Sequence, residues 1–475
     1  MRSSLVALLL ASASSAAQAQ ATYGPRVPVG PDRAISCPAV SVRVTPGQNV
    51  QNIVNSNPAG TSYCFAAGTY VRQSVVPKTG DSYTGSIGTI FDGQGATDHA
   101  FYAGTSGTGA SNVTIQNFVI MNYKTGGACT TADHSGCQRG AIDNRGYTGT
   151  TRAGPNWIIK NNEIKTANGV GVSANVGTHV IANYLHHNGQ EGYICGAQNL
   201  NNEGPGIVIA DNIIANNNPN GAIDWGWEAG GGKCWRTVDL QVLHNEAYGN
   251  WGPGLWTDTE NRGTVYDGNY AHDNFYHGIF HEVSWDAVIS NNRLWNNSGN
   301  KGGCGWGNCS AVRISNSGGA GDKTIEIFGN DIRIGPNGSG ITYSTQNRPD
   351  CPACQTRNVH SHHNTIDYTH KTGSDGATGA VQDVGDNAIF TSLNNTFDYD
   401  TYIGLTGQQG PFWWMNGARS LAEFQAYGQE THKPDVPPQP EPPTDTIPSG
   451  ALIIVPPPCP AGYNATGASC QKVQP

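Results

Sequence analysis

Charged side chains are scarce in this chain: Asp, Glu, Lys and Arg together make up 13% of its 475 residues. Solvated helix faces are built from such residues, so a mainly helical enzyme is not expected. A basic surplus is missing too. The formal net charge is −9, and no run of Lys or Arg exceeds two residues. Binding a phosphate backbone needs a basic face, so no nucleic acid partner is expected, and a strongly polyanionic polysaccharide is disfavoured unless a local basic groove departs from the average. Beyond the N-terminal segment no apolar run is long enough to cross a bilayer, so no membrane span is expected.

What is present is glycine, 63 residues of it, which suits turns and short strands. Residues 1–21 read as a signal peptide: Arg2, an apolar run from Leu5 to Ala11, and small residues ending Ala17-Gln18-Ala19 or Ala19-Gln20-Ala21. Twelve cysteines, an even number, fit an oxidising compartment, so the protein is expected to be secreted or periplasmic and a monomer. Loop-closing disulfides are expected at Cys129/Cys137, Cys304/Cys309, Cys351/Cys354 and Cys459/Cys470, with Cys37/Cys64 stapling the N-terminal end. Cys351-Pro-Ala-Cys354 has no second pair at zinc spacing, so no metal site is read from it.

In chain order, Val42-Arg43-Val44 reads as a strand and Thr45–Val54 as a turn and short amphipathic helix, followed by a strand and a Gly-Thr-Tyr turn over Gly60–Tyr70 and later by Gly88–Gly93. From there Asn followed by a β-type pair recurs, at Asn162, Asn183, Asn212, Asn245, Asn269, Asn292, Asn330, Asn364 and Asn395. The spacings fit coils of some 21 to 24 residues with insertions. Strands on stacked coils lie ~4.8 Å apart, so an inward Asn at each turn can bond the coils above and below it. Downstream of these Asn come further strand-like runs, at Gly169–Val172, Gly192–Cys195, Gly221–Ile223 and Ala311–Ile314. Three short strands per coil make a solenoid.

This succession resembles the N-terminal cap and coils of right-handed parallel β-helix proteins over roughly residues 40–405. The resemblance implies an all-β fold, a right-handed parallel β-helix with an N-terminal cap helix and a short C-terminal cap at Phe412–Gln425. The domain is expected to span residues 22–431. Residues 434–460 hold eleven of the 27 prolines, so residues 432–475 are expected to be a Pro-rich linker with a small disulfide tail.

Eight of the eleven tryptophans fall between Trp225 and Trp306, together with two near-copies, Gly254-Leu255-Trp256-Thr257-Asp258 and Gly278-Ile279-Phe280-His281-Glu282. Strand parity buries Leu255 and Ile279 and turns Trp256, Asp258, Phe280 and Glu282 outward. On neighbouring coils the two acids then stand roughly 5 Å apart at the backbone. Carboxylates that close cannot both ionise cheaply, and an acid beside a base is what glycosidic cleavage needs. Glu228, in Trp225-Gly226-Trp227-Glu228-Ala229-Gly230-Gly231-Gly232-Lys233, adds a third acid and Lys233 a cation. The runs Trp227–Lys233, Gly254–Asp258 and Gly278–Glu282 resemble those of secreted bacterial β-helix proteins of the carbohydrate-active type. His281 has inward parity, Glu260 and Asp267 read as surface residues, and Asp224, in a Gly-Ala-Ile-Asp repeat shared with Asp143, is a secondary candidate.

The leading expectation is a glycoside hydrolase on a polysaccharide or oligosaccharide substrate, with Asp258 and Glu282 as acid and base or nucleophile and Glu228 assisting. Trp256, Phe280, Lys233, Trp227 and Trp225 would bind substrate, and no cofactor would be needed. The alternatives are a polysaccharide lyase, in which the acids bind Ca²⁺ or Lys233 abstracts a proton, a calcium-dependent epimerase, and a non-catalytic carbohydrate-binding or cell-surface solenoid.

Overall fold

The computed structural model describes residues 23–433 except 106–108, 126–137, 147–152, 198–202, 298–303, 320–322, 350, 352 and 374–375, together with a hairpin of Tyr463–Thr466 and Ser469–Lys472. Each coil contributes one strand to each of three long sheets of 13, 12 and 12 strands. Within the coils every pairing is parallel, as in Ile158–Lys160 against His179–Ile181. The solenoid closes at its C-terminal end with an antiparallel pair, Phe412–Trp414 against Gly417–Arg419.

Parallel stacking puts like residues in columns. The first sheet sends Ile159, Val180, Ile209, Val242, Tyr266, Ile289 and Ile327 into the core one above another, all fully or nearly fully buried. The second sheet does the same with Ile164, Leu185, Ile214, Ala247, Ala271, Leu294 and Ile332. Helix Val50–Asn55, capped by the Asn49 side chain, covers the N-terminal end. Helix Leu421–Ala426, with a Ser420/Glu423 capping box, covers the other.

The turn between the first two sheets is held by the asparagine ladder. Asn162 Nδ2 donates to Asn183 Oδ1 at 3.0 Å, and the pattern repeats through Asn212, Asn245, Asn269, Asn292, Asn330 and Asn364. Asn395 is not the next rung. Asp400 is, accepting from Asn364 Nδ2 at 2.9 Å, and Asn395 instead bonds Val359 N and Thr356 O at another corner. The last rung has no further coil to donate to, which an acceptor-only carboxylate tolerates. A second ladder, missed in the sequence, runs through Asn188, Asn217, Asn250, Asn274 and Asn297 at the corner between the second and third sheets.

Residues 24–32 lie as a strap along the outside of the coils. Gly24 N bonds Gly268 O, Arg26 N bonds Asp211 Oδ1, Gly30 N bonds Ala182 O and Asp32 N bonds Asn117 Oδ1. Cys37–Cys64 fastens its C-terminal end, as expected, and Cys304–Cys309 and Cys351–Cys354 also form. A fourth bridge, Cys195–Cys234, joins two stacked coils of the third sheet and had no short-range spacing to reveal it. The expected Cys129/Cys137 and Cys459/Cys470 pairs lie outside the described side chains. The four disulfides among the described residues fit an extracellular or periplasmic setting, and no helix among those residues is long and apolar enough to cross a membrane.

Candidate active site

The coil that begins at Asn212 corrects one expected strand. Gly221-Ala222-Ile223 lies in a turn, and the third-sheet strand of this coil is Gly230–Trp235. Three glycines make that strand possible. Gly230 has a left-handed φ of 129°, a Cβ on Gly231 would stand 2.1 Å from the Gly254 carbonyl oxygen, and one on Gly232 would stand 2.2 Å from the Tyr193 ring. The large Tyr193 below fills the space that Gly232 leaves, and the strand stacks closely enough to set Lys233 in line with the next coil.

Two outward columns result. Lys233, Trp256, Phe280 and Arg313 are successive register partners, and so are Trp235, Asp258, Glu282 and Ser315. Asp258 and Glu282 therefore stand side by side on adjacent strands, as parity requires. The turn before the first strand brings in Glu228: Trp227 N and Glu228 N both bond the Asp224 carbonyl oxygen, and Gly226 N bonds Asp224 Oδ1. Asp224 shapes this turn from an exposed position and does not join the acids.

Lys233 is the hub. Its Nζ lies 3.0 Å from Asp258 Oδ2, 3.1 Å from Glu228 Oε2 and 2.6 Å from the Trp227 carbonyl oxygen, and 3.9 Å from the centre of the Trp256 ring. Three ammonium protons thus meet three oxygens. Burial works against the charge on Lys233, but Asp258, Glu228 and Glu282 outweigh it and leave its pKa raised. Glu282 pairs with Arg348 at 2.7 Å, yet burial and then the charge of Asp258 push its carboxyl up to about 7. Arg313 donates to the Gly307 and Trp306 carbonyl oxygens.

The aromatic expectation needs correction. Trp256 and Phe280 stack on each other at 5.2 Å, but only 2% and 5% of their surfaces are exposed, because Lys233 covers Trp256 and the His277 ring packs on Phe280. They back the acids and present no open face to a sugar. Trp225 and Trp227 are the exposed tryptophans of this region, at 36% and 52%. Trp225 packs edge-on against Tyr276 at 4.4 Å, and Trp251 stacks on Phe275 at 4.4 Å, forming one wall beside the acids.

A family model described as "Right handed beta helix region" matches residues 148–318, the stretch that holds these columns. The coil is right-handed. Solved structures of similar shape are the Agl-KA catalytic domain (14% identity, TM-score 0.50, covering 82% of this chain and 69% of that one), XylC with xylose (13%, 0.50, 71% and 83%), and the A-module of the mannuronan C-5 epimerase AlgE4 of Azotobacter vinelandii (15%, 0.49, 84% and 97%). At these identities the likeness is one of fold. No curated protein matches the chain.

The inner face of this β-helix also behaves as parity requires. His281 is buried, and its pKa is lowered to about 4 by burial. As a neutral ring it donates from Nε2 to the Trp285 carbonyl oxygen at 2.7 Å and accepts at Nδ1 from Thr257 Oγ1 at 2.7 Å, whose oxygen takes the Tyr266 hydroxyl proton. Glu260 pairs with Arg236 and Asp267 accepts from Ser290 and Asn291, the bracing roles expected of surface acids.

Three residues of the site were not singled out in the sequence. Arg313 follows Phe280 by one coil, and coil counting on Ala311-Val312-Arg313-Ile314 would have found it. Arg348 comes from a turn far downstream and carries no local signal. Glu191 starts its own strand, wholly buried beside Glu228, with its pKa well up through burial and then the charge of Glu228.

Proposed function

We propose that the protein cleaves a glycosidic bond in a polysaccharide or oligosaccharide, with Glu282 as the proton donor and Asp258 as the base or nucleophile. What supports this reading is the unequal environment of two neighbouring acids. Glu282 is held up to about 7 and retains a proton near neutrality, whereas Asp258 is ion-paired to a lysine that stays charged. Environments that push paired acids apart assign the acid and the base. Glu282 protonates the glycosidic oxygen as the bond from the anomeric carbon breaks. Asp258 either takes that carbon or removes the proton from an attacking water, and Glu228 assists by holding Lys233. Trp225 and Trp227 supply faces for sugar rings.

The cations argue for a neutral sugar over a uronate. Lys233, Arg348 and Arg313 are committed to carboxylates or carbonyl oxygens of the protein. The same commitment weakens the lyase reading, since a lysine held charged by three acceptors is a poor proton abstractor. A panel of neutral and acidic polysaccharides, read for new reducing ends and for ultraviolet absorbance of unsaturated ends, tests this. Reducing ends without unsaturation, lost in both Asp258→Asn and Glu282→Gln, are expected. Unsaturated ends would overturn the hydrolase, reducing ends indifferent to both substitutions would place the chemistry elsewhere, and polysaccharide binding with no new ends of either kind would favour a binding solenoid.

A further inference from the structure

Lys233 and Arg313 stand at the two ends of the outward column whose middle members are Trp256 and Phe280, with Asp258 and Glu282 on the two coils between them. Each cation is committed in the same way. Lys233 Nζ holds the Trp227 carbonyl oxygen, six residues back, and Arg313 Nη1 holds the Trp306 and Gly307 carbonyl oxygens, seven and six residues back. A tryptophan-bearing turn is thus hung from the column on either side of the acids. Tyr276 joins the two turns, packing against Trp225 at 4.4 Å and donating its hydroxyl to Asn308 Oδ1 at 2.8 Å.

The second turn is built to keep one shape. Cys304–Cys309 closes it, and the Gly307 carbonyl oxygen accepts from Ser310 Oγ and Thr342 Oγ1 as well as from Arg313. Trp306 has a left-handed φ of 58°, a conformation that a bulky side chain rarely adopts, and it is the one tryptophan among the described residues to do so. Such strain is kept where it aims a side chain at a function. The Trp306 ring lies over the Arg313 guanidinium, 5.5 Å from Cζ to ring centre, and is half-buried, so part of it still meets solvent above the column.

An aromatic ring held rigidly beside paired acids is a surface on which a sugar ring stacks with little loss of freedom. We propose that Trp306 is the stacking face for a sugar unit on the opposite side of the acids from Trp227, so that the polysaccharide lies along the column with units on both sides of the bond that is cut. Lys233 and Arg313 are three strand spacings apart, roughly 14 Å at the backbone, which gives the chain room to span both turns. The cut rests on the glycosidase reading; the stacking face is separable from it by a binding measurement.

Native electrophoresis of the full chain in gels cast with xylan, dextran, laminarin or galactomannan reads binding without turnover. At least one polymer should retard wild type, and Trp306→Ala should need about tenfold more of it for the same retardation, while Trp306→Tyr, which keeps a stacking face, stays near wild type. Asn is at ease in the left-handed region, so Trp306→Asn should keep the wild-type unfolding midpoint and still lose retardation. A Trp306→Asn variant that melts lower and binds like wild type gives the ring a packing role and overturns the proposal, as does a wild type that no gel retards. On a retarding polymer that yields new reducing ends, Trp306→Ala should raise KM about tenfold with kcat changing far less. Retardation lost in Trp306→Ala, with no new ends from wild type, keeps the stacking face and sinks the hydrolase. New ends, with KM and retardation unaltered in Trp306→Ala, do the reverse.

Discussion

Asp258 and Glu282 are register partners on adjacent coils, yet they answer to different cations: Asp258 to Lys233 at 3.0 Å from the coil before, Glu282 to Arg348 at 2.7 Å from a turn far downstream. Two acids in one column are thereby made chemically unlike. If Glu282 is the proton donor, activity falls as pH rises through about 7, because the protonated form is lost there. In kcat/KM profiles this is the basic limb. Glu282→Gln should lower kcat by about 10²–10⁴-fold and leave residual activity without that limb. A basic limb that survives the substitution assigns the acid elsewhere.

Lys233 neutralises the buried Glu228 and the half-buried Asp258, so removing it strands both. Lys233→Met should cost about 3–5 kcal/mol in urea unfolding, the range for breaking a buried ion pair. Asp258→Asn in the Lys233→Met background should return part of that loss, since one stranded charge disappears. A fully additive pair of effects would mean that the two residues do not interact energetically.

The tryptophans divide by exposure. Trp225→Ala and Trp227→Ala should raise KM by about tenfold with little change in unfolding midpoint, as expected for the loss of a stacking face worth about 1 kcal/mol. Trp256→Ala should instead destabilise the fold by about 3–5 kcal/mol, because it empties a buried position between Lys233 and Phe280. Substrate titrations beside thermal melts separate the two outcomes.

The parts of the architecture legible in the sequence were those that repeat at short range. The first asparagine ladder shows because each Asn stands two places before a core residue, as Asn162 does before Ile164. The second stands five residues further on, from Asn188 after Asn183 to Asn297 after Asn292, but variable turn residues follow it and hide the period. The acids were readable from parity, since Leu255 and Ile279 set the phase. The burial of Trp256 was not, because what covers it is Lys233 reaching from the preceding coil. Nor was Arg348 or Cys195–Cys234, since both depend on which coils stack after insertions of unequal length.

Gly232 tests whether the close stacking of that coil is needed. A methyl at this position meets the Tyr193 ring at 2.2–2.4 Å, and the ring is fully packed in the core. Gly232→Ala should therefore destabilise by about 1–3 kcal/mol through overpacking. Tyr193→Leu, which removes the clashing ring, should be less costly in the Gly232→Ala background than alone.

At the C-terminal end Asp400 and Glu430 share a buried corner, and among the described residues no cation pairs with either. Asp400 accepts from Asn364 N and Nδ2 and from Ser361 Oγ, while Glu430 accepts from the Asp400 N–H at 3.2 Å and from the Tyr402 hydroxyl at 2.8 Å. Burial raises both, Asp400 to about 6 and Glu430, next to the charge of Asp400, to about 9. The sign follows from proton counting: between the ordinary carboxylate range and about 9 the folded chain binds more protons here than the unfolded one. Stability must then fall as pH climbs through that window. Glu430→Gln leaves a neutral side chain of similar shape, so its unfolding midpoint should change less than that of wild type between pH 5 and 9. Equal slopes for the two proteins would show that the clasp carries no extra proton.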